Sequence, residues 1–86
     1  MGGGKVLVVR RVLQVLGVAF LPEQRVLAIA KERAEAEGWP WREPVLLQHR
    51  LMRTLVTTNA DMRGGNVRVL IDARSGDVVR AGFVAY

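Results

Sequence analysis

Cysteine is absent from the 86 residues. Disulfide staples, thiolate metal sites and cysteine nucleophiles are removed together by that one absence. Histidine and serine occur once each, as His49 and Ser75. His49 has no second histidine and no acid at suitable spacing on its own expected strand face, so it reads as a surface or hydrogen-bonded strand residue rather than a metal ligand or a general base. Ser75 sits in turn sequence and lacks the surroundings of a nucleophile elbow. Asp61, Asp72 and Asp77 do not have the spacing of a calcium loop. The residues thus offer no catalytic constellation, no metal-ligand set and no cofactor fingerprint, and the expectation is a domain that binds rather than one that catalyses.

Acidic residues are missing from one end of the chain. Residues 1–20 carry Lys5, Arg10 and Arg11 and no acid, whereas residues 21–86 carry ten basic and eight acidic side chains, so most of the net charge of +5 lies in the leading segment. That segment supports two readings. An apolar block at 12–21, interrupted by Gln14 and Gly17, follows the basic residues, as in a targeting or membrane-associated leader. It is shorter than the roughly 20 apolar residues of a spanning helix. Alternatively, residues 6–9 or 12–18 form a strand laid beside the sheet. Met1-Gly2-Gly3-Gly4 carries no structural signal.

What is present is a valine-rich chain, half apolar, long enough for one domain with one modest core. The closing third reads as a β-hairpin. Val67, Val69 and Ile71 alternate with Arg68, Leu70 and Asp72, Ser75-Gly76 supplies the turn, and residues 78–84 return with Val79, Ala81 and Phe83 on one face. Gly82 suggests a bulge or a close approach by another backbone. Further upstream, residues 45–49 and 52–58 read as strands joined at Arg50-Leu51, and residues 59–66 as a loop. Within that loop, Arg63-Gly64-Gly65-Asn66 is a weak match to an anion-binding loop, since no phosphate-loop lysine and no helix follow it.

One helix is expected from Pro22 to Gly38. Proline suits a helix start, Glu23 complements the positive end of the dipole, and Gly38 followed by Pro40 ends the run. Val26, Leu27, Ile29, Ala30 and Ala34 form the apolar band, with Arg25, Lys31, Glu32, Glu35 and Glu37 opposite. Trp39-Pro40-Trp41 follows at once. Large rings beside a helix end commonly plug the edge of a core, and Trp39 and Trp41 are also the candidate partner-binding residues. Arg50, Arg53, Arg63, Arg68 and Arg80 can line one side of the sheet. Nucleic-acid-binding sheets stack bases on aromatic rings, however, and only Phe83 and Tyr86 are at hand, which argues against nucleic acid.

The stretch Leu21-Pro22-Glu23-Gln24-Arg25-Val26-Leu27-Ala28-Ile29-Ala30, with the strand, aspartate and Gly-Asp-Val turn of residues 69–79, resembles the PepSY and PepSY-like domains over about residues 21–84. The resemblance implies a cystatin-like α+β fold, one helix packed on a three- to four-stranded antiparallel sheet, here with an optional extra N-terminal strand. It also implies a non-catalytic role beside secreted peptidases or at the cell envelope, with no active-site residues and no cofactor. A protein partner, such as a peptidase, would meet a sheet edge or the Trp39 and Trp41 region. Membrane contact through residues 5–21 and weak nucleic-acid or anionic-membrane binding through Lys5, Arg10 and Arg11 are the alternatives, and monomer and homodimer both stay open. An extracytoplasmic location follows from the resemblance, a cytoplasmic one if residues 1–20 belong to the fold.

Overall fold

The computed structural model describes residues 6–10 and 20–86. Its elements are β1 (Val6–Arg10), α1 (Glu23–Glu37), β2 (Val45–Arg50), β3 (Arg53–Thr57), β4 (Asn66–Asp72) and β5 (Val78–Val84), and the strands lie side by side in chain order. β2 to β5 form an antiparallel meander, the sheet expected from the sequence, with the single helix packed against it. β1 is an extra strand, parallel to β2 with Val6 opposite Val45. Of the leading segment, Lys5, Arg11 and residues 12–19 lie outside the described residues. Among the described residues no helix is long and apolar enough to cross a membrane.

The helix forms where the sequence marks its ends. Pro22 is the N-cap, with extended backbone, and its carbonyl accepts from the amides of Arg25 and Val26. At the other end Gly38 adopts φ 77°, a left-handed conformation that costs glycine little, and Trp39 donates its amide to the Ala34 carbonyl. Val26, Ala30 and Ala34, four residues apart, are the fully buried stripe. They meet one face of the sheet, where Leu47, Val56, Val67, Val69 and Ile71 have no exposed surface. The two alanines leave no bulk between helix backbone and strands, so the helix can rest close to β3, β4 and β5.

Two details of the meander differ from expectation, one in each of two hairpins. Ile71 pairs with Val78 and Leu70 with Arg80, so Val79 is an extra residue opposite that step. The bulge turns Val79 outward, 44% exposed, while Val78, Ala81 and Phe83 pack on the core. The bulge is therefore not at Gly82, and a Cβ at Gly82 would meet nothing within 4 Å. The turn between residues 50 and 53 is one residue later than expected, at Leu51-Met52.

The loop before β4 is held by Asn66. Its side-chain amide donates to the carbonyls of Thr58 and Asn59, each at 2.9 Å, and its oxygen accepts from the Gly64 amide at 2.8 Å. Thr58, also buried, accepts from the Val67 amide at 2.8 Å. Removing the Asn66 amide strands several buried backbone groups at once, each costing on the order of 1–3 kcal/mol when unsatisfied. Asn66→Ala is therefore expected to destabilise the domain by about 3 kcal/mol in urea unfolding, with Asn66→Asp also destabilising because a carboxylate cannot donate.

Candidate functional site

His49 does find an acid, supplied by the helix rather than by its own strand. Strand alternation turns His49 to the helix side at the end of β2, where its Nε2 lies 3.2 Å from Glu23 Oε2 in the first turn of α1. On the other ring edge Nδ1 lies 2.9 Å from Thr54 Oγ1, on the facing strand β3. A carboxylate only accepts hydrogen bonds, so in the neutral ring Nε2 carries the proton and Nδ1 accepts from the Thr54 hydroxyl. Sequence reasoning missed this pairing because Glu23 and His49 come together only when the helix docks. The one local signal was the acid placed in the first helical turn.

These groups border an open cleft of about 470 Å³, lined also by Phe20, Leu21, Leu51 and Ala73 and, from either side of the β2–β3 turn at the end of the sheet, by Arg50 and Arg53. Carboxylate, imidazole and hydroxyl in line is the order of a proton relay. Thr54 has no exposed surface, however, so its oxygen is not presented to anything in the cleft. What the array does in this structure is fasten the start of α1 to the β2–β3 hairpin. Among the described residues no group of three or more His, Asp or Glu is placed to hold a metal ion.

The glycine loop does not offer its amides to an anion. Gly64 donates to Asn66 and Gly65 to the Val84 carbonyl at 2.7 Å. Both glycines have positive φ, and a Cβ on Gly64 would come within 2.8 Å of the Ala85 carbonyl oxygen, so only glycine fits this close approach. Arg63 stands exposed on the same loop.

Trp39 and Trp41 are both half-buried and packed against the core. Trp39 stacks on Phe83 of β5, with ring centroids 6.5 Å apart and planes 19° from parallel. The tryptophan linker and the sheet edge, which the sequence offered as separate partner surfaces, are therefore adjacent. β5 is the last strand of the sheet, and no described residue pairs with its outer side. Val79 and Val84 are exposed there. The other edge strand is β1, which ends at Arg10.

In the β4–β5 turn, Asp72 Oδ1 accepts from the amides of Ser75 and Arg74, each at 2.9 Å. The Ser75 and then the Arg74 backbone bonds hold its pKa below the ordinary value of 3.8. Folding thus favours the charged form, a contribution complete above the ordinary value and lost as pH falls through the folded one. Acid titration of stability is expected to show a smaller loss below about pH 4 for Asp72→Ala than for the wild type. For the helix tether, a double-mutant cycle of Glu23→Ala and His49→Ala in thermal or urea unfolding is expected to give a coupling of about 1 kcal/mol, with no coupling to a control such as Lys31→Ala. No protein-family model matches the chain, and neither a characterised protein nor a solved structure proves similar to it.

Proposed function

We propose that this domain is a non-catalytic binding module that receives an extended segment of a protein partner along the outer edge of β5, beside Trp39. The observation that carries the reading is the Trp39–Phe83 stack standing at an edge strand whose outer backbone groups have no described partner. An edge strand is a template for strand addition, with backbone hydrogen bonds supplying affinity and side-chain contacts supplying selectivity. The aromatic pair gives such a segment a rigid apolar shelf, and exposed Val79 and Val84 bracket the strand. Trp41 belongs to the same linker and packs against the core. The PepSY resemblance supplies the partner class, a peptidase or another envelope protein.

Selection of extended peptides from a random display library against the full chain, followed by amide NMR, tests this. Bound peptides are expected to protect and shift the amides of residues 78–84 and the Trp39 indole, and Phe83→Ala to weaken them about tenfold. Failure to select any peptide, or shifts that leave β5 untouched, would remove the proposal.

A further inference from the structure

The sheet has a second face, and the helix covers only the first. Directly opposed residues on neighbouring strands point the same way. The register therefore gives three rows on the side away from α1: Gln48, Leu55, Leu70 and Arg80; Leu46, Thr57, Arg68 and Gly82; and Arg50, Arg53 and Asp72. Rows lie about 7 Å apart and strands about 5 Å. Among the described residues no element packs on this side.

The chemistry of that face is lopsided. Arg50, Arg53, Arg68 and Arg80 are all exposed there. Among the described residues none of the four makes an ion pair or a side-chain hydrogen bond. The one acid in the rows, Asp72, is spent on the Arg74 and Ser75 amides and forms no ion pair with Arg53 opposite it. The same rows hold Leu46 and Leu70, both half-buried, and Leu55, which is only 7% exposed. A self-contained surface normally intersperses charges of both signs, and exposed arginines beside apolar side chains are the composition of a protein interface.

We infer that this face docks an acidic amphipathic helix of a protein partner, its apolar stripe on Leu46 and Leu70 and its carboxylates on Arg53, Arg68 and Arg80. A sheet with one face that no described element covers gains a second helical layer in this way, and the planar guanidinium matches a carboxylate with two parallel hydrogen bonds. Nucleic acid shares the charge requirement but stacks its bases on aromatic rings, and these rows contain none. Arg80 lies on β5, but Arg53 and Arg68 lie on β3 and β4, so substitutions at those two separate this inference from strand addition at the β5 edge.

The test titrates the full chain with a synthetic helical peptide bearing leucines on one face and glutamates on the other. The same sequence with lysine for glutamate and a single-stranded oligouridylate serve as rival probes. Binding of the acidic peptide is expected to fade with added salt and to shift the amides around Leu46 and Leu70. Arg53→Glu and Arg68→Glu, both exposed, are each expected to weaken it about tenfold while leaving the unfolding midpoint and the β5-edge peptides unaffected. Any of the following overturns the inference: no binding of the acidic peptide, equal binding of its lysine counterpart, tighter binding of oligouridylate, indifference to both substitutions, or self-association that the substitutions abolish.

Discussion

Three small side chains, Val26, Ala30 and Ala34, set the distance between helix and sheet, and that distance governs much of what surrounds it. With the helix close, Val67, Val69 and Ile71 of β4 are sealed, and the neighbouring strands need only aliphatic side chains of ordinary size to complete the core. The approach also brings the first helical turn within hydrogen-bonding reach of His49 and sets the β4–β5 turn under the helix start. A Cβ on Gly76 would lie 3.0 Å from Ile29 and 3.1 Å from Leu21. A bulkier residue at position 30 would act at all these places together.

The same geometry divides the surfaces by role. On the helix side Thr54 is bonded to His49 and Thr58 to the Val67 amide, and at the two ends of β4 Asn66 and Asp72 are bonded to the backbone of their own loops. On the opposite side the arginines have no such commitments. The arginines are thus set apart from the other polar groups of the sheet, and their rows and the Trp39–Phe83 edge occupy separate places in the molecule.

Much of this was legible in the chain, and the parts that were not share a cause. Pro22 and Gly38 fixed the helix ends and Ser75-Gly76 fixed the closing turn, because backbone preference acts within a few residues. The alternation of Val67 to Asp72 gave the faces of β4. In β5 the run Val78-Val79-Arg80 satisfies either register, so the bulge depends on pairing with β4 and could not be read from β5 alone. The union of Glu23 with His49, like the gathering of Arg50, Arg53, Arg68 and Arg80, needs the helix docked or the strands aligned. Arg63, which composition grouped with them, falls on a loop. β1 was ambiguous because a parallel partner leaves no turn sequence to announce it.

β1 also stands apart energetically. Arg50 and Arg53 find each other across a two-residue turn, whereas Val6 must reach Val45 past an entire helix. Bringing together ends so far apart costs more chain entropy than closing a hairpin, and the return is a single ladder along one side of β2. The meander can form first and offer β2 as a template, with β1 last to join and first to leave. A first strand so placed could be donated to a neighbouring molecule's β2 through the same ladder, the geometry by which identical chains exchange an element.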